Sequence, residues 1–156
     1  MVGPNIKSAG FLVSLLLAGL VLGWILQTVD RIVGFPRLLP YPINSAGLAL
    51  IAFGSWIRLW AGAVFYRQNP SMVSFKVPPK LVITGPWRYS RNPLYLGLIM
   101  IGLGFSIFFF SYSDLILTLV GALLLHLEVV MHEEKVLTQK FGNIYLDYKK
   151  QIRRWI

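Results

Sequence analysis

The sequence predicts an all-α polytopic membrane fold, four transmembrane helices followed by a short cytoplasmic C-terminal helix, and three observations predict it. The 156-residue chain is 56% hydrophobic and only 13% charged, about half the charged fraction of a soluble domain. Its apolar residues gather into four stretches, and its basic residues collect between them on alternate sides. The length suggests a single domain, 1–156.

Residues 9–29 carry no charge, and at about 1.5 Å per residue they match the roughly 30 Å hydrocarbon core of a bilayer. The stretch is too long for a signal peptide and no small-residue cleavage site follows it, so it is expected to stay as the first span. Residues 45–66 form the second, interrupted only by Arg58. Residues 94–110 and 115–131 form the third and fourth, at the short end of the permitted range, and 111–114 leaves room only for a tight antiparallel hairpin. The loop 67–93 is long and carries Pro70, Pro78, Pro79 and Pro86; long ordered loops are usually functional or linkers. Beyond residue 131 the fourth helix is expected to continue through Lys140 and break at Phe141 and Gly142. A short amphipathic helix then follows at 143–152, with Ile144, Tyr145, Tyr148 and Ile152.

The net charge of +9 follows from topology. With the N-terminus inside, the positive-inside rule collects Lys7, then Arg67, Lys76, Lys80, Arg88 and Arg91, then Lys135, Lys140, Lys149, Lys150, Arg153 and Arg154 on the cytoplasmic side. Only Arg31 and Arg37 remain outside. Attraction to anionic membrane lipid adds to this, and nucleic acid is not needed to explain the charge. Both termini are then cytoplasmic, and the loop 67–93 shares a side with segment 132–156, so a site can form between them. The chain has no cysteine, which removes disulfides, thiolate zinc sites and a cysteine nucleophile.

Three constellations carry chemistry. The first is GPWRYSRNPLYLG, residues 85–97. Gly85 and Pro86 read as a turn, Asn92 as an N-cap, and Pro93 as the first residue of the third helix. Arg88, Arg91 and Tyr95 stand at that helix start, which favours a carboxylate or phosphate or else lipid phosphates at the interface. The second is the pair Glu133 and Glu134, able to receive an ammonium in an otherwise basic region or to form a solvated helix face. His132 and Glu133 resemble the start of HExxH, but Val136 holds the second histidine's place and His126 lies on another face, so no metal site is predicted. The third is ionisable groups at membrane depth: Arg58, about 10 Å from the cytoplasmic end of its helix, and Glu128 near the end of the fourth. These read as functional groups or as snorkelling side chains. Gly97, Gly102 and Gly104 suit close helix packing.

Together the two cytoplasmic segments resemble the integral-membrane methyltransferases that include isoprenylcysteine carboxyl methyltransferases and phospholipid N-methyltransferases. GPWRYSRNPLYLG is similar to that family's GPY-x-x-x-RHP-x-Y-x-G, and EEKVLTQKFGNIYLDY follows EE-x-x-L-x-x-x-F-G-x-x-Y-x-x-Y at every specified position. The resemblance implies S-adenosylmethionine as cofactor, bound at the cytoplasmic ends of helices three and four and covered by the C-terminal segment. Cofactor contacts are expected from Arg91, Asn92, Pro93, Tyr95, Gly97, Glu133, Glu134 and Tyr145. Arg91 and the helix start suit the carboxylate, Glu133 or Glu134 the ammonium, and Tyr95, Tyr145 or Trp87 the purine. The acceptor is expected to be lipid-like or prenylated, entering from the membrane. Arg58, Glu128 and Arg154 are the expected catalytic residues, with Glu128 able to take a proton from an amine acceptor. Asn92 replaces the family histidine, and Arg153 stands in the proline slot of V-P-R-x-I. RNP resembles a common bacterial variant, so cofactor binding is expected to survive the change; the expected location is a bacterial or archaeal cytoplasmic membrane. The nearest activity is isoprenylcysteine carboxyl O-methylation; phospholipid amine N-methylation, small-thiol S-methylation, and a non-catalytic transporter or adaptor are the alternatives.

Overall fold

The computed structural model describes residues 6–35, 42–69 and 78–156, without the side chains of residues 6–9 and 11. Of the residues named above, Arg37, Pro70, Lys76 and the side chain of Lys7 lie outside the described residues. The elements are helical throughout: α1 (Ile6–Val33), α2 (Ala46–Gln68), α3 (Pro93–Phe108), α4 (Tyr112–Leu124), a π-helical segment (Leu125–Val130), α5 (Met131–Phe141) and α6 (Asn143–Gln151). Short 3-10 turns at Ile43–Ser45 and Gly85–Arg88 lead into α2 and towards α3.

Among the described residues, three helical stretches are long and apolar enough to cross a membrane: Leu12–Val33, Ile43–Gln68 and Tyr112–Phe141. The third of these runs through α4, the π segment and α5 as one rod. α3 is apolar but has 16 residues, about 24 Å of helix, so length alone yields three spans where the sequence predicts four.

At the hairpin two boundaries differ from expectation. α3 stops at Phe108, and α4 begins at Tyr112 rather than at 115, which shortens the hairpin. The reason is a Ser-x-x-Asp start signal. Ser111 is fully buried and its hydroxyl accepts the Asp114 N–H at 3.0 Å, so Asp114 is a buried first-turn residue rather than part of a loop. Phe110 takes the left-handed conformation, φ 56°, that reverses the chain.

Small residues set the helix packing. α2 and α3 run antiparallel and touch at two glycine pairs seven residues apart. A Cβ built on Gly97 would lie 2.6 Å from the Gly54 carbonyl, and one on Gly104 would lie 2.7 Å from the Gly47 carbonyl. Backbones this close gain dispersion contacts that side chains would prevent. α1 lies on the other side of α3, where the rings of Phe105 and Phe109 fill the space that side chains at Gly19 and Gly23 would need. Leu12, Ile101 and Phe105 form the buried centre, with Leu15, Leu16, Ile51 and Leu59 around it. The outer faces stay apolar: Leu17, Val21 and Trp24 on α1 and Ile116, Leu119 and Leu123 on α4 are exposed, as suits lipid contact.

Candidate functional site at the basic end of the helices

The end of α2, the start of α3, and α5, α6 and the last residues meet at one end of the molecule. Asn69 closes the base of the loop there. It is fully buried, its Oδ1 accepts the Lys80 N–H at 3.0 Å, and its Nδ2 donates to the Lys80 carbonyl at 3.4 Å. Gly85, φ +62°, then turns the chain into the 3-10 segment against Val64 of α2, in a conformation other residues avoid.

Residues 90–92 hold the final segment. Ser90 Oγ and Asn92 Nδ2 both donate to the Arg154 carbonyl, at 3.2 and 3.1 Å, and the Arg91 N–H donates to the Arg153 carbonyl at 3.1 Å. Pro93 is the first residue of α3, as expected. Asn92 occupies the N-cap position but makes no side-chain cap bond; its Nδ2 donates to the tail. The last residues are thus tied to this helix start through two main-chain carbonyls, held by two side chains and one backbone N–H.

α5 ends at Gly142, φ 53° and ψ −129°, a region essentially reserved for glycine, and α6 folds back beneath it. Tyr148 of α6 donates its hydroxyl to the Trp87 carbonyl at 2.6 Å. Tyr145 is 2% exposed beside Arg91, Arg154 and Glu134. Burial first, and then the Glu134 carboxylate, push its phenol up to about 12, so it stays neutral. Burial likewise raises Tyr148.

The two adjacent glutamates have different environments. Glu134 is 5% exposed and accepts Arg154 in a fork, Nε to Oε1 and Nη2 to Oε2, both at 2.9 Å. Arg91 Nη1 lies 3.1 Å from Oε1 and Lys149 Nζ 3.4 Å from Oε2. The hydrogen bond with Glu134 raises Arg154 above the ordinary arginine value, so its charge is permanent. Glu133 is exposed and accepts the Tyr95 hydroxyl at 2.8 Å. Arg58 Nη1 donates to the Leu94 carbonyl at 2.8 Å and lies within electrostatic reach of Tyr95 and Tyr66, which brings it to the start of α3. Gly97 is buried against Gly54 and Arg58, in packing contact with α2. Glu128 is exposed on the π segment, so it and Arg58 do not make a buried pair.

Four residues of this cluster are absent from the expected set. Ser90 holds the tail, Lys149 completes the ring of cations around Glu134, and His126 and Trp155 meet beneath Arg154 with ring centroids 5.9 Å apart. Lys149 was legible as the residue one helical turn after Tyr145, and His126 as lying two turns ahead of Glu134.

The residues fit S-adenosylmethionine at the level of donors and acceptors. Arg91 Nε and Trp87 Nε1 are buried and lack hydrogen-bond partners among the described residues, which leaves donors for a carboxylate and for a purine or ribose acceptor. Glu133 offers an exposed carboxylate for the ammonium.

The chain is 26% identical over 131 residues to Protein-S-isoprenylcysteine O-methyltransferase B of Arabidopsis thaliana, which covers 82% of this chain and 66% of the relative. The fold is similar to a solved eukaryotic intramembrane Ras methyltransferase, isoprenylcysteine carboxyl methyltransferase. The TM-score is 0.72 and the identity 22%, over 89% of this chain and 50% of that one. The chain therefore spans half to two thirds of these proteins. The phospholipid methyltransferase family model matches residues 43–144, from the turn ahead of α2 into the first turn of α6, well over half of the chain, and the chain belongs to that family.

Proposed function

We propose that the chain is an S-adenosylmethionine-dependent methyltransferase acting on a lipid-like acceptor, nearest to isoprenylcysteine carboxyl O-methylation, with 1–156 working as one unit. The observation that carries this reading is the division of labour between the glutamates. Glu134 is taken up by three cations and fixes the tail over α3, while Glu133 presents a tyrosine-oriented carboxylate beside them. In this reading Glu133 receives the donor's ammonium, Arg91 its carboxylate, and Trp87, Tyr95 and Tyr145 surround the purine. When bound, the cofactor supplies an electrophilic methyl group on a sulfonium.

The protein then has to align acceptor and donor and keep water out. Neutral Tyr145 and Tyr148 and the tail at 153–155 form that cover. A carboxylate acceptor needs no base. Arg58, anchored on the Leu94 carbonyl, and Arg154 are the cations available to orient an anionic acceptor. Amine methylation of a phospholipid is the second reading, favoured by the family match, with exposed Glu128 as the proton acceptor.

The reading also takes α3 as the fourth span. Asp30 at the end of α1 meets the start of α4, and Asn44 ahead of α2 donates to the Phe108 carbonyl at the end of α3. All four helices therefore run between the same two levels, and a short α3 is accommodated by local thinning of the bilayer. The basic end faces the cytoplasm.

The test is incubation of purified protein with methyl-labelled donor and prenylcysteine, phosphatidylethanolamine and thiol acceptors, together with calorimetric donor binding. Glu133→Gln is expected to weaken donor binding about tenfold or more through the lost charge-assisted bond, and Tyr95→Phe by a smaller factor. Absence of any stabilisation by saturating donor would sink the reading and favour a non-catalytic membrane protein.

A further inference from the structure

Among the buried polar atoms that the arrangement above leaves unused is the Nδ1 of His126. His126 is the second residue of the π segment, and such segments are rare and concentrate at functional sites. Its Nε2 lies 3.4 Å from Arg154 Nη1. A guanidinium only donates, so Nε2 presents its lone pair and the ring carries its proton on Nδ1. Nδ1 is closed off from solvent and has no hydrogen-bond partner among the described residues. Native interiors rarely leave a donor in that state, and an absent ligand is one explanation for it.

The surroundings say what kind of ligand. Glu134 is a single carboxylate against Arg91, Arg154 and Lys149, so the cluster carries an excess of positive charge, and Arg154 links that excess directly to His126. A donor wired to a guanidinium in a cation-rich interior suits an anionic oxygen. The Trp155 ring packs against the imidazole, its centroid 5.9 Å away at a tilt of 40°.

We propose that the Nδ1–H of His126 donates to an anionic oxygen of the methyl acceptor, a carboxylate or a phosphodiester, so that the acceptors are amphiphiles bearing such an oxygen and not neutral thiols. This rests on the methyltransferase reading for the word acceptor, while the binding site itself does not.

Two amide variants separate the ring nitrogens. His126→Gln keeps an oxygen near the Nε2 position for Arg154 and loses the Nδ1 donor; His126→Asn keeps an N–H near Nδ1 and loses the Arg154 contact. Equilibrium binding is measured on the full chain in detergent for an S-prenylated cysteine carboxylate, its carboxamide and a phosphatidylethanolamine. Binding of S-adenosylmethionine on the same samples checks folding.

The wild type is expected to prefer the carboxylate over the carboxamide by about tenfold or more. The Gln variant loses that preference and the Asn variant keeps most of it. Tight phosphatidylethanolamine binding that the Gln variant weakens identifies the oxygen as phosphate and supports the proposal equally. The chain has 2 histidines, so a nitrogen-15 histidine spectrum resolves the tautomer, expected to be Nδ1–H. Equal wild-type affinity for carboxylate and carboxamide with no Gln-sensitive phospholipid binding, a Gln variant that binds like wild type, or an Nε2–H tautomer overturns the proposal. Selective binding without methyl transfer would remove the enzymatic reading and leave this one standing.

Discussion

The molecule buries acids at both ends of its helices and satisfies them in different ways. At the basic end Glu134 is gripped by Arg91, Arg154 and Lys149. At the other end Asp30 and Asp114 are 4% and 5% exposed, and neither has a cationic partner among the described residues. Asp30 accepts the hydroxyl and the N–H of Ser113 at the start of α4, while Asp114 keeps one buried oxygen without a partner. The first arrangement draws its cations from three separate segments, so it exists only when the tail is closed. The second is a capping device that joins the end of α1 to the start of α4, and one of its two acids has no need of its charge.

The same acid-to-amide change should therefore act differently at the two ends. Glu134→Gln is expected to cost about 3 kcal/mol, at the low end for a broken buried pair, because the Arg154 and Lys149 side chains remain 32% and 33% exposed. In detergent that is a fall in midpoint of about 6–12 °C, and an unchanged midpoint would break the comparison. Gly97→Leu, near the start of α3 at the basic end, should cost about 1–3 kcal/mol by forcing α2 and α3 apart. It should also weaken donor binding, because Arg58 and Leu94 move with that crossing; normal binding in a destabilised variant would show that the site does not depend on it. Asp30→Ala should cost about 1 kcal/mol, the usual worth of an N-terminal cap, read from the same melting curves. Asp114→Asn should change stability by less than about 0.5 kcal/mol, or raise it. A large loss there would mean that its orphan oxygen has a partner in the membrane-embedded protein.

Much of the scaffold was legible because its signals are local. Apolar runs marked the helices, Pro93 marked the start of α3, and Phe141 with Gly142 marked the break between α5 and α6. The hairpin was misplaced because Ser111 and Asp114 were read as a polar turn when their spacing is that of a capped helix start. The glutamates were read as a pair, although neighbours on a helix point about 100° apart, and one of them had to turn inward. The contacts of Arg154 with Ser90, Asn92 and His126 span 28 to 64 residues. No local pattern encodes them.

The clasp of residues 90–92 on Arg153 and Arg154 also orders events during synthesis. Chains are made from the N-terminus, so Arg91 and Glu134 are made before Arg154 and the carbonyls that close over them. A chain released short of residue 153 would leave the charge cluster open to water. A protease that cuts after Ile152 would likewise separate Arg153 and Arg154 from Ser90, Arg91, Asn92 and Glu134 in one step.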